Sequence, residues 1–334
     1  LEEYIRHEIA IKGSSRKTAN TYYVNLRQFM RYLKMTVYDI PREEYTTIKI
    51  FDISEKELLT VSYDTILKYL YFLSEEGLVP STRSNKLSAI STFYDYLCDS
   101  HPDVFKYNPA QRVDKPKLPK RQPKYLTESE SKMLLKASMK TSEPERDYCI
   151  ISLFLNCGMR LSELVNINIS DIGTDTIQIM GKGNKQRTIY LNSSCISAID
   201  NWLLRRSKIE NIIDSKALFV SRRRTRITQR AVEKIVEKTL QAAGLGGRGF
   251  STHKLRHTAA TLLHEKGADL LELKEILGHE HTTTTEIYTH INNQRLREIA
   301  KTSPFAEFDS ASINKEEESA TTVVAPKGSV SDES

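Results

Sequence analysis

TIQIMGKGNKQRTIYL, residues 176–191, consists of two alternating apolar and polar runs on either side of a glycine-bearing turn. Alternation with a period of two marks a half-buried strand, and two such runs around a Gly-containing turn predict a β-hairpin with Lys182 at or near its tip. The segments around it read as helix. Upstream, Leu126 precedes TESE, in which Thr127 and Glu130 have the spacing of a capping box and open an amphipathic helix. ERDYCIISLFLNC, residues 145–157, is almost wholly apolar after its first turn and stops at Gly158, which predicts a buried helix. A short helix follows near Leu161. Downstream, helices are expected over 194–208, over 229–243 from a Thr228 cap, over 252–266 before Gly267 and over 269–277 before Gly278. The fold class expected is mainly α with a small β-sheet.

The N-terminal half reads as a second, helical domain. SSRKTANTYYVNLRQFMRYL spaces Ala19, Tyr22, Leu26, Phe29, Met30 and Leu33 by threes and fours from a Ser15 cap. Further helices are expected over 62–76, ending at Gly77, and from Ser81 through Leu97. Residues 36–61 have no helical period, and their TTIKIF fits a short strand or a loop equally well. KYNPAQRVDKPKLPKRQPK, residues 106–124, holds four prolines and seven basic side chains against Asp114 alone, a composition for an extended connector running along phosphates. The expected organisation is a helical domain at 1–105, a linker at 106–124, a second domain at 125–306 and a disordered acidic tail at 307–334.

A chain of 334 residues, 39% hydrophobic, has enough apolar matter for two ordinary cores. No stretch approaches the roughly twenty apolar residues of a membrane span. LEEYIRHEIAIKG carries charges where a signal peptide has an apolar core, which points to a soluble, cytoplasmic protein with no membrane partner. Cys98, Cys149, Cys157 and Cys195 form no CxxC pair and read as reduced and structural. The net charge of +6 hides an asymmetry: residues 307–334 carry seven acids against Lys315 and Lys327, so residues 1–306 hold a charge of +11. Such a body suits a partner with regularly spaced negative charge.

STHKLRHTAATLLHEKG, residues 251–267, concentrates that chemistry. Ser251 or Thr252 is placed to cap the helix, and His253 and Arg256, three apart, share a side of its first turn. Unpaired N–H groups and the helix dipole favour an anion there, and a guanidinium fork matches two phosphate oxygens. His253 and His257 also have the spacing of a helical zinc pair, but HKLRH lacks the intervening glutamate and a third ligand with a recognisable spacing, so no metal site is expected. In CGMRLSEL, Arg160 follows a helix-ending glycine, with Glu163 in place to brace it. LGHEHTTTTEIYTH places His279 just after a glycine stop and Tyr288 nine residues later. A tyrosine beside two arginines, two histidines and a hairpin lysine is the makings of phosphoryl transfer, in which an oxygen attacks phosphorus and cations stabilise the added charge.

The ordered set GMRLSEL, GKGNKQR, HKLRH and LGHEHTTTTEIYTH resembles the signature of the tyrosine recombinases, in particular their Xer-type and phage-integrase-like bacterial members. NKLSAISTFYDYL and NPAQRVDKPK resemble the last core-binding helix and the following linker of that family, so the likeness spans nearly the whole chain. The resemblance implies that Tyr288 is the nucleophile forming a 3′-phosphotyrosyl link to DNA. It makes Arg160 and Arg256 ligands of the scissile phosphate and His279 a further donor. Lys182 would be the acid that protonates the departing 5′ oxygen, with Lys185 a nearby rival, and His253 would assist proton transfer at the tyrosine. No cofactor is implied. The implied partner is double-stranded DNA carrying specific recombination sites, gripped by a homo-tetramer on two sites. Further DNA contacts are expected at Arg83, Lys86, Lys117, Lys120, Arg121, Lys185, Arg222, Arg223, Arg224, Arg226 and Arg230. The segment past the tyrosine, NNQRLREIAKTSPFAEF, is expected to dock either on a neighbour or on its own protomer. Two other functions fit the same features less fully: a type IB topoisomerase and a DNA-binding relative that has lost the reaction. Chromosome dimer resolution and mobile-element integration share this chemistry, and the length of 36–61 tilts the sequence reading toward a mobile element.

Overall fold

The computed structural model describes residues 1–118, 124–180, 186–277 and 298–306. The chain divides into two compact units, Leu1–Arg121 and Gln122–Ser334.

In the first unit α1 (Glu2–Ala10), α2 (Arg16–Val37), α3 (Glu55–Leu59), α4 (Tyr63–Glu75) and α5 (Pro80–Ser100) enclose an aromatic-rich core. Their starts are chemically marked. Ser15 accepts the N–H of Thr18, Ser54 and Glu57 form a capping box, Ser62 accepts the N–H of Thr65, and Pro80 occupies the first turn of α5. Tyr4, Phe29, Tyr69, Phe93 and Tyr94 are almost fully buried and meet edge-on or tilted. TTIKIF forms no strand. Its carbonyls are taken by cations of α2 instead: Arg31 Nε donates to the Ile48 carbonyl at 3.0 Å and Lys34 Nζ to that of Lys49 at 3.1 Å. Alternation makes a strand only where a partner strand can take its backbone groups, and here a helix face does so.

The connector expected to begin at 106 begins later. Phe105, Ala110 and Val113 are buried in the first core, and Asn108 Nδ2 donates to the Ser91 carbonyl and to Asp95 Oδ1. Prolines and basic residues forbid a helix in this segment, but they do not stop its apolar residues from packing.

The second unit holds α6 (Glu128–Ser138), α7 (Pro144–Cys157), α8 (Leu161–Asn166), β1 (Thr176–Met180), β2 (Gln186–Tyr190), α9 (Ser193–Arg206), α10 (Gln229–Ala242), α11 (Thr252–Glu265) and α12 (Leu270–Leu277). The fold is mainly α with one two-stranded sheet. Helix α7 is buried from Arg146 to Cys157 because α6, α9, α10 and α11 all pack against it. The strands pair antiparallel, with Thr176 opposite Tyr190 and Met180 opposite Gln186. This register puts Ile177, Ile179 and Ile189 toward the core. Among the described residues, no helix is long and apolar enough to cross a membrane. Cys149, Cys157 and Cys195 are buried free thiols, and Cys98 is a partly exposed one.

Residues 298–306 dock on their own protomer. Phe305 is fully buried in the main core, and Ile299 packs with Leu263, Ala268 and Leu273. Ser303 Oγ donates to Asn156 Oδ1, which also accepts from Asn192 Nδ2. The Ala306 carbonyl accepts from Ser193 Oγ and the Ser194 N–H, so the chain's return satisfies part of the α9 N-terminus. Replacing Phe305 by alanine should therefore destabilise the protein by about 3–5 kcal/mol in denaturant unfolding, the cost of an emptied core site.

Candidate active site

The site is built at the end of α7. Gly158 caps that helix in the left-handed region, with φ +57°, which turns the chain sharply into α8. A β-carbon at Gly158 would lie 2.5 Å from Leu277 Cδ2, so the glycine is also what lets the last residue of α12 approach the turn. Met159 is buried, and Arg160, at the N-cap of α8, is directed out from that anchored turn. Glu163 reaches back: its Oε2 accepts the Arg160 backbone N–H at 2.8 Å, and its Oε1 accepts Arg160 Nη1 at 2.7 Å. Its side chain is 4% exposed, while that of Arg160 remains 38% exposed. The carboxylate is thus withdrawn, and the guanidinium is the more exposed partner of the pair.

Arg256 reaches the same place from α11. It is buried, and it spans two carbonyls, donating Nη1 to Gly158 and Nη2 to Leu277, the latter at 2.6 Å. Burial, and then the positive charge of Arg160, pull its pKa down from the ordinary arginine range to about 10. It stays charged at neutral pH.

A third arginine completes the cluster, and the sequence reading did not single it out. Arg187 on β2 donates Nη2 to Glu163 Oε2 at 2.9 Å and Nη1 to the Ile276 carbonyl at 3.0 Å. Burial lowers its pKa below the arginine range, with Glu163 opposing the shift and Arg160 adding to it. A signal for it was present: Arg187 and Ile189 share the inward face of β2, and Arg187 pairs opposite buried Ile179. An arginine on the apolar face of a hairpin needs a buried acceptor. Arg160 and Arg187 share the carboxylate of Glu163, while Arg256 is bound by neutral carbonyls, and positive charge held in partly buried surroundings favours an anion.

The α11 N-terminus differs in detail from expectation. Ser251 is the N-cap but makes no side-chain capping bond, and Thr252 is the first, buried residue of the helix. The first-turn N–H groups are therefore not occupied by a side-chain cap, which suits a phosphate better than a capped terminus would. His253 is exposed there, whereas Arg256 turns away toward Gly158 and Leu277 rather than sharing that anion position. His257 is half-buried, and burial lowers its proton affinity below the usual histidine range, with Lys254 and His253 adding to the effect. Lys182, Lys185, His279 and Tyr288, and with them Lys120 and Arg121, lie outside the described residues.

Two of the expected DNA contacts are spent inside the protein. Lys86 is 4% exposed, and its ammonium donates to Asn25 Oδ1 and Gln28 Oε1 of α2. Arg226 donates to Asp214, Asn168 and the carbonyls of Val165 and Ile167, fastening the loop before α10 to the end of α8. Neither is left to reach a phosphate. Arg83 is half-buried, with its Nε shielded and unpartnered among the described residues. Lys117, Arg222, Arg223, Arg224 and Arg230 are exposed. Arg222 donates to Ser142 Oγ at 2.6 Å, and Arg224 adopts a left-handed φ of +64° in the turn. Arg222 and Arg223 line a groove with Thr228, Lys234 and Lys238, the last two lysines one turn apart on α10 and not anticipated from the sequence.

The Phage integrase family profile matches residues 124–295. Tyrosine recombinase XerC of Caldanaerobacter subterraneus subsp. tengcongensis is 43% identical over 313 residues, covering 92% of this chain and 87% of the relative. Tyrosine recombinase XerC of Psychromonas ingrahamii is 33% identical, with 90% and 94% covered. Among solved structures, XerH site-specific recombinase bound to difH substrate in a pre-cleavage complex aligns with a TM-score of 0.61 at 25% identity, over 90% of this chain and 82% of that one. A lambda integrase dimer bound to a COC′ core site shares the fold, with a TM-score of 0.61 at 17% identity over 87% and 97%.

Gly158→Ala should cost about 1–3 kcal/mol of stability, since it meets both a left-handed backbone and the Leu277 side chain; thermal unfolding measures it. Arg226→Ala should likewise lower the melting temperature, whereas Arg223→Ala should leave it unchanged. In DNA-binding titrations across salt concentrations, Arg223→Ala should reduce the salt slope by about one.

Proposed function

This chain belongs to the phage integrase family, as a tyrosine-type site-specific recombinase, and on that premise we propose that it cuts and rejoins DNA through a 3′-phosphotyrosyl intermediate on Tyr288. The Tyr288 oxygen loses its proton and bonds to phosphorus as the bond from phosphorus to the 5′ oxygen breaks. Lys182 supplies the proton that the leaving 5′ oxygen takes up, giving a 5′-hydroxyl, and His253 takes part in proton transfer at the tyrosine. Arg160 and Arg256 bind the non-bridging oxygens, with His279 as a further donor, and stabilise the charge that accumulates on the phosphorane. A free tyrosine has a pKa of about 10, and neighbouring cations favour its ionisation near neutral pH. The phosphodiester energy stays in the protein–DNA bond, so rejoining needs no nucleotide cofactor, and the cationic side chains fill the role that divalent ions play in other phosphoryl-transfer sites.

One observation carries this reading: the last carbonyls of α12 are fixed on the arginine cluster, Leu277 on Arg256 and Ile276 on Arg187. The next residues in sequence are Gly278 and His279, and Tyr288 follows eleven residues after Leu277. The sequence that carries Tyr288 therefore follows directly on the two carbonyls that these arginines hold.

A homo-tetramer on two DNA sites is the assembly this chemistry calls for when strands are exchanged between duplexes. The biological role we favour is chromosome dimer resolution, because the relatives matched over nine-tenths of the chain are named XerC. Mobile-element integration remains the rival reading. It is the length of segment 36–61 that suggested it.

Tyr288→Phe should abolish covalent adducts on a suicide substrate nicked beside the cleavage site while leaving DNA affinity within about twofold. Adducts persisting in that variant would remove the nucleophile from the proposal. In the same assay, wild-type protein that relaxes supercoils but never joins strands of different duplexes would favour the topoisomerase reading. Sequencing DNA ends bound to Tyr288 after incubation with chromosomal and mobile-element termini decides the role.

A further inference from the structure

We propose that the basic groove beside α10 is the docking site for residues 313–324 of the same chain, an acidic segment that occupies it when no DNA is bound. This concerns access to the groove and does not depend on the chemistry assigned to Tyr288.

The groove has a volume of about 660 Å³ and lies within the second unit. Ile227 is buried and Ala231 and Ile235 are half-buried along it, which makes an apolar floor, while Arg222, Arg223, Lys234 and Lys238 are exposed around it. The one acid among its lining residues, Asp147, is buried and paired with Arg146 at 2.8 Å. Lys234 and Lys238 make no side-chain hydrogen bond or ion pair among the described residues. Glu233 and Glu237 line a separate cleft, with Leu240, Gln241 and His253. Helix α10 thus sorts its charges, basic toward the groove and acidic away from it. Phosphates gain nothing from an apolar floor, and a duplex is too wide to enter a groove of this size. A peptide with carboxylates beside apolar side chains satisfies both the floor and the rim. Residues 313–324, INKEEESATTVV, set Glu316, Glu317 and Glu318 between Ile313 and the pair Val323 and Val324.

The chain is placed to deliver that segment. Ala306, the last residue described, is held at the α9 N-terminus by Ser193 and Ser194. Helix α9 has 14 residues, a length of about 21 Å at a rise of about 1.5 Å per residue. Arg205, in its last turn, lines a cleft together with Arg146, Ser221 and Arg222, which also line the groove. Glu316 stands ten residues beyond Ala306, a reach of about 33 Å in extended chain, so the acidic triplet spans α9 and arrives at the groove. A short tether sets a local concentration of about a millimolar, at which several individually weak ion pairs suffice to fill the site. Arg222 and Arg223 are also expected to hold DNA, so a bound duplex displaces the segment, and the docked segment turns away weakly held duplexes.

The test is carbodiimide cross-linking of the full chain mixed with an equal amount of a heavy-isotope-labelled copy, followed by peptide mapping. Each link is an amide formed from a glutamate carboxylate and a lysine ammonium with loss of water. Glu316, Glu317 or Glu318 should be joined to Lys234 or Lys238 within single chains, at a yield that a saturating duplex lowers about tenfold. Absence of these links, links only between labelled and unlabelled copies, or a yield indifferent to duplex would overturn the proposal. Duplex affinity gives a second readout that general charge repulsion cannot imitate. Replacing the three acids together (Glu316→Gln, Glu317→Gln, Glu318→Gln) should tighten binding of a non-specific duplex about fivefold at low salt. In a Lys234→Gln, Lys238→Gln background the same replacements should tighten it by less than about twofold, because the acids have lost their partners. An equal gain in both backgrounds defeats the docking site. Lys234 and Lys238 are exposed, so their replacement leaves folding intact.

Discussion

Two guanidiniums gripping two consecutive carbonyls at a helix end hold the candidate site of the second unit together. Arg256 binds the Leu277 carbonyl and Arg187 that of Ile276, while the other hand of each reaches the α7–α8 turn, at the Gly158 carbonyl and at Glu163. These acceptors are neutral carbonyls with a single exception. The arginines are thereby fixed in direction without being neutralised, and the cluster keeps the positive charge that a phosphate needs. Gly158 makes the arrangement possible, because its bare α-carbon admits Leu277 against the turn.

The rest of the unit serves to hold that turn still. Helix α7 is buried from its first turn to its last, so its end cannot drift, and the α9 start is secured by the returning chain through Asn156, Asn192 and the Ala306 carbonyl. Arg226 fixes the loop before α10 by four acceptors. Cations in this protein thus divide into two kinds. Some, such as Arg226 and Lys86, are fasteners whose hydrogen bonds are all internal, and others, such as Arg223 and Arg230, stand in solvent where a polyanion can reach them.

Much of the architecture was legible in the sequence because it is encoded locally. The Ser15, Ser62, Thr127 and Thr228 caps, the left-handed stop at Gly158 and the period-two runs around residues 181–185 each depend on neighbours within a few positions. The candidate site was legible for the same reason, since Arg160 beside Gly158, and Arg256 three residues after His253, stand in compact motifs. Glu163 was readable as a brace because a glutamate three residues into a helix reaches back to its start.

What only the tertiary structure decided is where each long charged side chain ends. Arg226 finds Asn168, 58 positions away, and Arg187 finds Ile276, 89 positions away. Composition marked both as basic but gave no hint of their acceptors. Backbone satisfaction was likewise a tertiary matter: TTIKIF alternates like a strand, yet Arg31 and Lys34 take two of its carbonyls, and residues 105–113 pack despite Pro109. The sequence by itself determined the long helices and the hairpin, because those choices follow from side-chain period and capping, whereas the short α3 at Glu55–Leu59 lies in a segment with no helical period. Which cations face a phosphate and which face the protein was settled by folding, because a flexible side chain takes the nearest acceptor that the assembled core leaves unsatisfied.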